Sequence, residues 1–442
     1  MRSQEKDLLG LAESLVEYGR KKGADQIEIS INAGTNFSVE VRKGEIEQLE
    51  QADSTILSLR VIQEQKVATA SSFDFTLQTL HHLIDKAIER ARFSSADEYA
   101  GLPEKEEIVI DIAQLKLYDP EVLILDTKTK IELAKQTEAI CLADSHITNS
   151  HGAGFSSEVK TVALANSRGF SGTYKASACY LWVHIQAGKD PEKVEDGWHA
   201  FARAYKVLDS PELVAQKALE RTTRLLGARK VKTQNVPVVF EPRMTGELLR
   251  FLYNCISGTA IYRRQSFLVD KLDQKIGNNL VTVIDNGLLP GAPGTKPFDD
   301  EGVPIRKTIV IEKGILKNYL FDTYSARRLK MKSTGNASGP NNFHLTAGKH
   351  TPEEITKSVD KGLLLTNMMG MGLNPVTGDI SRGAFGLWIE KGEIAYPVSE
   401  ITISGNLAKI LQDIEMVGND LRFDRNITGP TVKIGEMTVG GI

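Results

Sequence analysis

Histidine, cysteine and acidic side chains are the residues of this chain that could bind a metal ion or move a proton. His81 and His82 are adjacent within a predicted helix, where neighbouring side chains point about 100° apart and cannot share one ion. Cys179 and His184 lie five residues apart on one predicted strand, so they face opposite sides of it. A zinc site that also uses His199 is therefore disfavoured, and these spacings predict structural roles.

Two predicted loops carry weaker candidates for a site. His344 and His350 flank one loop, and the acidic residues 299–301 form a turn in the other that could bind a cation. Solvated loop histidines and a solvated acidic turn are the favoured interpretations. The Gly- and Pro-containing segment 291–302 predicts an ordered Ω-type loop that could line a cleft. The nucleophile motif Gly-x-Ser-x-Gly and the phosphate loop Gly-x-x-x-x-Gly-Lys-Ser/Thr are both absent from the sequence.

Two further segments have the small or flexible side chains of a surface that binds peptides. Met368 and Met369 place flexible thioethers beside glycines, which suits an adaptable apolar surface, although filling gaps in the core is an equally good explanation. The second segment begins a predicted strand with residues small enough for a docked peptide backbone to approach, although a tight bulge is slightly favoured. Its residues are Ser381, Arg382, Gly383, Ala384 and Phe385.

Composition excludes several classes of protein. The 442 residues include 54 Lys and Arg against 57 Asp and Glu, a balance that gives no general attraction to a phosphate backbone. No apolar run reaches the roughly 18 residues that a membrane-spanning helix needs. Three widely scattered cysteines argue against a disulfide framework. We expect a cytoplasmic protein that binds neither nucleic acid nor membrane.

The elements that position these residues group into several units, because the chain is too long for one compact core. Strands grouped with helices, rather than strictly alternating with them, predict an α+β fold. A mixed N-terminal region of sheet and helices should precede a mostly β C-terminal domain with a few helices. The predicted segments are an α+β unit (1–93), a linker (94–110), a second α+β unit (111–230) and the C-terminal domain (231–442).

Local patterns place individual elements within these segments. Ile27, Ile29 and Ile31 alternate with polar residues, which indicates a half-buried strand. Apolar residues at helical spacing predict a helix over 245–257. Three hairpins are predicted to turn at a Lys-Gly pair. The three pairs are Lys43-Gly44, Lys313-Gly314 and Lys391-Gly392.

Several segments of the C-terminal half together resemble the TldD/PmbA family, whose older description is modulator of DNA gyrase. They occur in the family's order and cover nearly the whole C-terminal half, whereas the first 230 residues fit through element order alone. The matching segments include Phe298-Asp-Asp-Glu-Gly302, Thr377-Gly-Asp-Ile-Ser-Arg-Gly383, Tyr396-Pro-Val-Ser-Glu-Ile-Thr-Ile403 and Val417-Gly-Asn-Asp420.

The family that this chain resembles has two branches, which differ in their metal ligands. TldD-type chains hold zinc with a His-Glu-x-x-x-His helix and a later cysteine, whereas TldE/PmbA-type chains lack these ligands and pair with TldD. The matching helix has Arg250 at the first ligand position, Phe251 at the general-base position and Cys255 at the last. Arginine cannot bind zinc, phenylalanine cannot accept a proton, and one thiolate falls short of three protein ligands. No Cys or His follows Asp420.

The resemblance therefore implies a TldE/PmbA-type subunit with no catalytic residues and no metal site of its own. Such a chain forms a heterodimer with TldD, which supplies the zinc and cleaves unfolded or small peptides in proteolysis and peptide maturation. An effect on gyrase would arise through proteolysis rather than DNA contact. Three alternatives stay open: an independent metallopeptidase that uses ligands such as His344 or residues 299–301, a peptide-binding adaptor that acts without TldD, and a homodimer in isolation.

Overall fold

The N-terminal half is built on one antiparallel sheet of six strands. The computed structural model describes residues 2–190 and 192–442. Its strand order is β3-β2-β1-β4-β5-β6, so strands from both predicted N-terminal units share one sheet. The elements are α1 (Arg2–Lys21), β1 (Gln26–Arg42), β2 (Glu45–Gln63), β3 (Lys66–Ser72), α2 (Leu77–Ala91), α3 (Glu121–Ile124), α4 (Thr127–Leu142), β4 (Ile147–Asn166), β5 (Ser171–Ala187), β6 (Val194–Ala202) and α5 (Pro211–Thr223).

Alternation along β1 gives this sheet two different faces. Ile27, Ile29 and Ile31 are fully buried in a core that they share with α1 and α2. Ser30 and Asn32 lie between them and point to the other side, because successive side chains of a strand face opposite ways. The helices therefore cover one face of β1–β3 and leave a polar face on the other.

The C-terminal half contains mostly strands, with helices at their margins. Its elements are β7 (Gln234–Phe240), α6 (Pro242–Ile256), α7 (Gly258–Tyr262), β8 (Val283–Asn286), β9 (Lys307–Glu312), β10 (Ile315–Leu316), α8 (Thr323–Arg328), β11 (Phe343–Leu345), α9 (Pro352–Lys357), β12 (Lys361–Met369), β13 (Leu373–Asn374), β14 (Asp379–Glu390), β15 (Glu393–Asn406), α10 (Leu407–Gln412), β16 (Ile414–Val417), β17 (Ile427–Thr428) and β18 (Val432–Gly440). The α+β class is confirmed.

Two sheets organise these strands around α6. Seven strands form one sheet in the order β12-β7-β18-β15-β14-β13, with β16 beside β18. Because β14 also pairs with β12, this sheet closes on itself. Five strands form the second sheet in the order β10-β9-β8-β11-β17. Apolar residues of α6 join the core formed with both sheets.

The three predicted Lys-Gly hairpins are confirmed. In each pair both residues have positive φ, for example 54° and 81° at Lys43 and Gly44. Two consecutive positive φ values define the type I′ turn, whose twist matches that of the paired strands. Glycine accepts this conformation without steric cost, which is why the pair predicts the turn.

The predicted linker 94–110 has no helix or strand but is held against the C-terminal domain. Arg327 donates hydrogen bonds to the carbonyl oxygens of Tyr99 (3.3 Å) and Leu102 (2.5 Å). The Tyr324 hydroxyl donates to Asp97 Oδ2 at 2.8 Å. These contacts fix the path of the chain between the two N-terminal units. No helix in the described part of the chain has the length and apolar character that crossing a bilayer requires.

Candidate functional site

The helix α6 carries the three positions that the resemblance assigns to a metal motif. It begins at Pro242, three residues before the predicted start, because proline favours the first turn of a helix. Phe251 is 2% exposed and Cys255 is fully buried, both in the C-terminal core. The Arg250 side chain is 48% exposed and lines a large cleft. Residues five apart on a helix point about 140° apart, so Arg250 and Cys255 face opposite surroundings.

The chemistry of the buried thiol follows from its position. Burial raises the pKa of Cys255 to about 12, so the group is a neutral thiol at ordinary pH. A metal ligand or nucleophile would have to be the thiolate. Cys255 therefore serves as a small apolar side chain of the core.

The large cleft has a volume of about 1150 Å³ and lies between the N-terminal sheet and the loops of the C-terminal domain. The polar face of β1–β3 forms its floor. Side chains of β5, β6 and the predicted Ω-type loop 291–302 form its walls, together with Arg250 from α6. Its size exceeds the roughly 300–1000 Å³ of ordinary small-molecule sites. The cleft is therefore the candidate functional site.

Basic groups outnumber acidic groups in the lining, six to four. The basic residues are Arg60, Lys160, Arg203, Arg250, Lys296 and Arg425, and the acidic residues are Glu28, Asp299, Asp300 and Asp424. Burial raises the pKa of Glu28 to about 7 and that of Asp299 to about 6, which weakens the negative contribution further. The lining therefore carries a small excess of basic residues, of which Arg60, Lys160 and Arg250 also pair with carboxylates just outside it.

Asp299 organises the loop that walls the cleft, and the predicted solvated acidic turn is wrong at this residue. Its side chain is 1% exposed and accepts hydrogen bonds from the backbone amides of Glu301 (3.0 Å), Val303 (2.9 Å) and Ala337 (3.0 Å). Glu301 is also engaged, since it lies 3.2 Å from Arg60. These carboxylates hold backbone and arginine groups of the fold.

Comparison with known proteins identifies the family of the chain. Models of the PmbA/TldA metallopeptidase match in order: domain 1 at residues 27–91, the central domain at 120–226 and the C-terminal domain at 233–441. Metalloprotease PmbA of Escherichia coli O157:H7 is 35% identical over 95% of this chain and 93% of its own length. The chain belongs to the TldD/PmbA family.

Solved structures of similar proteins share the whole fold. A Bacteroides thetaiotaomicron protein named for modulation of DNA gyrase superposes with a TM-score of 0.91 at 28% identity, over 98% of both chains. TldE from Thermococcus kodakarensis superposes with a TM-score of 0.82 at 24% identity, over 98% of this chain and 100% of its own. The second likeness concerns the fold alone.

The metallopeptidase names raise the question of a zinc ion, and the residues of α6 do not fit one. Arg250 is a permanent cation, Phe251 has no donor atom, and Cys255 is buried as a thiol. Elsewhere in residues 2–190 and 192–442, no three His, Cys, Asp or Glu side chains cluster as a metal site would require.

His344, which the sequence places in a solvated loop, is instead buried in β11 of this TldD/PmbA-family chain. It is 7% exposed, its Nδ1 lies 2.9 Å from the carbonyl oxygen of Asn342, and its ring packs on Phe423 at 4.9 Å. Burial lowers its pKa, so the imidazole is neutral. The prediction failed because β11 pairs with β8 and β17, which lie far away in sequence.

The predicted peptide-binding segments lie outside the large cleft. Ser381–Phe385 is part of β14, and Gly383 pairs with Met369 of β12 on one edge and with Thr402 of β15 on the other. A bulge occurs beside Phe385, as the slightly favoured interpretation predicts. With both edges paired, a peptide cannot add to this stretch as a strand. Met368 packs against the core and Met369 is exposed, so peptide contact through these side chains stays a prediction.

Sequence reasoning missed most of the cleft. Tyr180 comes from β5, Phe201 from β6 and Arg203 from the residue after β6. The pairing of those strands with the rest of the sheet brings them beside the polar face of β1. The alternation that predicts β1 did carry a signal, since it separates the cleft-facing Ser30 and Asn32 from the buried isoleucines. The composition of 291–302 correctly indicated a loop that lines a cleft.

Proposed function

We propose that this member of the TldD/PmbA family is a non-catalytic subunit of the TldE/PmbA type. It assembles with a TldD-type chain into a cytoplasmic metallopeptidase complex that cleaves unfolded or small peptides, in proteolysis and peptide maturation. The observation that carries the proposal is the register of α6. The one motif residue that reaches the cleft is Arg250, a cation, while Phe251 and Cys255 lie in the core.

The cleft supports a role in holding peptides. Its floor presents small uncharged side chains, among them Ser30, Asn32 and Ser58, which can exchange hydrogen bonds with the backbone of any sequence. A cleft of about 1150 Å³ accommodates an extended chain of several residues. In the complex, the partner supplies zinc, activated water and the general base, while this chain supplies a wall that holds the substrate.

Reconstitution tests the proposal. The pure chain, a TldD-type partner and their mixture are incubated with an unfolded peptide, each with and without a zinc chelator. We expect hydrolysis by the mixture, its loss with chelator, and no hydrolysis by this chain alone. A control partner with a substitution in its zinc motif must leave the mixture inactive.

Two outcomes would overturn the proposal. Chelator-sensitive hydrolysis by this chain alone would establish an independent metallopeptidase. Failure of the two chains to co-elute in size-exclusion chromatography would favour a peptide-binding adaptor, and elution of the pure chain at twice its monomer mass would reveal a homodimer in isolation.

A further inference from the structure

Arg203, which directly follows β6, places a charge on the cleft wall, and within the described residues it makes direct hydrogen bonds to neutral groups alone. Its guanidinium donates to the carbonyl oxygens of Ser177 (3.2 Å), Pro293 (2.6 Å) and Thr295 (3.4 Å). Its Nε is buried and has no hydrogen-bond partner in the described residues. Glu158, whose charge acts on Arg203, is already paired with a lysine. The three contacts leave two of the five N–H groups of the guanidinium without a carbonyl partner, one of them the buried Nε–H.

Lys296 adds a second cation on the same wall. It follows Thr295 directly, and its ammonium donates to the Ser338 hydroxyl at 2.5 Å. An ammonium has three N–H groups, so donors remain for a ligand. The neighbouring Asp299 is engaged by three backbone amides and does not form an ion pair with it. Arg203 also helps to position Lys296, because its guanidinium donates hydrogen bonds to the carbonyl groups of residues 293 and 295 in the same loop.

Aromatic rings surround these cations. Tyr180 packs against Phe201 with ring centroids 5.0 Å apart, and the Arg203 guanidinium lies over the Phe201 ring at 5.8 Å. Tyr174 meets Phe298 edge-on at 5.2 Å. Apolar walls exclude water and so strengthen a charge interaction beside them. The local chemistry favours an anionic group attached to an apolar or main-chain body.

The adjoining floor indicates what that body is. The polar face of β1–β3 offers hydroxyl and amide groups, which match the alternating donors and acceptors of an extended backbone. Arg203 and Lys296 place two cations on this wall, with Asp300 close enough for its charge to act on Lys296, whereas the floor is mostly uncharged. A ligand with a neutral chain and one negative end fits both regions.

We propose that Arg203 and Lys296 form a subsite for the terminal carboxylate of a peptide that lies in the cleft. This inference rests on the proposed role in peptide cleavage and specifies which end of the peptide the chain holds. The remaining N–H groups of Arg203 and of the Lys296 ammonium can each donate to a carboxylate oxygen, and such charge-assisted hydrogen bonds are stronger than neutral ones. The subsite recognises a group that every peptide with a free C-terminus carries, so it requires no particular peptide sequence.

Binding of end-labelled peptides to the full chain tests the subsite. An uncharged hexapeptide with a fluorophore on its N-terminus is prepared as the free acid and as the C-terminal amide, and fluorescence anisotropy gives each Kd. We expect the acid to bind about tenfold more tightly than the amide, the effect of one charge-assisted hydrogen bond. A third peptide, an amide with one internal aspartate, distinguishes a terminal carboxylate from a side-chain carboxylate.

Variants locate the effect. Lys296→Met should lower the affinity for the acid toward that for the amide. Arg203→Met should also lower this preference and, because it releases the carbonyl groups of Pro293 and Thr295, should weaken binding of both peptides. Lys296→Met is the decisive variant, because it leaves the three carbonyl contacts of Arg203 in place. Arg264→Met, an exposed cation whose side chain is 71% accessible, is the matched control and should retain the full preference.

Each remaining outcome overturns the subsite. It fails if acid and amide bind equally, if neither binds, if the aspartyl amide binds as tightly as the acid, or if both variants keep the preference. The proposed function is judged separately by hydrolysis in the mixture with the TldD-type partner. Equal binding of acid and amide alongside cleavage of both would refute the subsite and leave that function standing.

Discussion

At the residue scale, α6 differs from a zinc-binding helix in two separate respects. The side chains have the wrong chemistry, and two of the three also point into the core rather than toward the cleft. Substitution can repair the first difference but not the second, because the direction of a side chain is set by how the helix packs. Installing the missing ligands therefore does not create an active site in this chain.

The double variant Arg250→His with Phe251→Glu tests this directly. We expect no chelator-sensitive hydrolysis, together with a loss of about 3–5 kcal/mol in stability from removing the buried ring. Denaturant unfolding and a peptidase assay supply the two measurements. Arg250→His alone is the control and should change stability by less than about 0.5 kcal/mol, since that side chain is half exposed. Zinc-dependent activity in the double variant would contradict the assignment.

Glu28 gives a pH-dependent prediction at the same scale. Burial and the nearby charge of Glu301 raise its pKa from 4.5 to about 7, although the charge of Arg60 opposes this shift. Between pH 4.5 and about pH 7 the side chain is therefore protonated in the folded state and ionised in the unfolded state. Unfolding then releases a proton, and rising pH favours unfolding. The stability contribution is complete below about 4.5 and is lost as pH rises through about 7.

The variant Glu28→Gln removes this titration while keeping the size of the side chain. Relative to the variant, the free energy of unfolding of the native chain should fall across that pH range, by an amount on the order of 3 kcal/mol. Urea unfolding of both proteins at a series of pH values measures the difference. Parallel pH profiles would show that Glu28 does not titrate in this range.

At the element scale, the Lys-Gly hairpins show what local chemistry determines and what it leaves to the surroundings. Gly44 and Gly314 have φ values of 81° and 82°, so the backbone requirement is the same in both turns. Their environments differ. A Cβ on Gly44 would meet no atom within 4 Å, whereas a Cβ on Gly314 would clash with the carbonyl oxygen of Gly277.

Alanine at these two positions separates the effects. Gly44→Ala should cost about 1 kcal/mol, the strain of a positive φ, and Gly314→Ala should cost this amount plus that of displacing a neighbouring loop, in total about 3 kcal/mol. The melting temperatures of the two variants, compared with that of the native chain, provide the test. Equal losses would mean that the loop at Gly277 moves freely.

At the scale of the whole molecule, a buried ion-pair network joins the N-terminal sheet to the C-terminal domain. Arg221 of α5 lies 3.0 Å from Asp196 of β6 and 2.8 Å from Glu241, which precedes α6. The Arg221 side chain is 7% exposed. Arg224 also pairs with Glu241 (2.8 Å) and Arg243 with Asp196 (3.1 Å), so each carboxylate keeps one cation when Arg221 is removed.

Arg221→Met should lower stability by about 1.5–3 kcal/mol, the loss of its charge-assisted hydrogen bonds, and loosen the contact between the two halves. Unfolding followed by both tryptophan fluorescence and circular dichroism measures the loss, and separated transitions would indicate uncoupled halves. Lys230→Met breaks an exposed pair with Glu400 and should change stability by less than about 0.5 kcal/mol. An effect of Arg221→Met no larger than this control would contradict the prediction.

The sequence predicted features that depend on near neighbours and missed those that depend on distant ones. The hairpin at Lys43-Gly44, the helix that carries Arg250 and the two faces of β1 all follow from spacing over a few residues. Asp299 looked solvated because the amide of Ala337, which holds it, is 38 residues away. Most of the cleft could not be predicted for the same reason, since its floor and walls come from separate parts of the chain.

The pairing of β1 with β4 has a consequence for how the chain folds. Glu28 lies opposite Asn166, so one edge of β1 finds its partner only after more than a hundred further residues have been synthesised. Until then the backbone groups along that edge are free to pair with another molecule. Pairing at such sequence separation also slows folding, because a long loop must close first. Refolding of the full chain should therefore be slow and should lose yield to aggregation as its concentration rises.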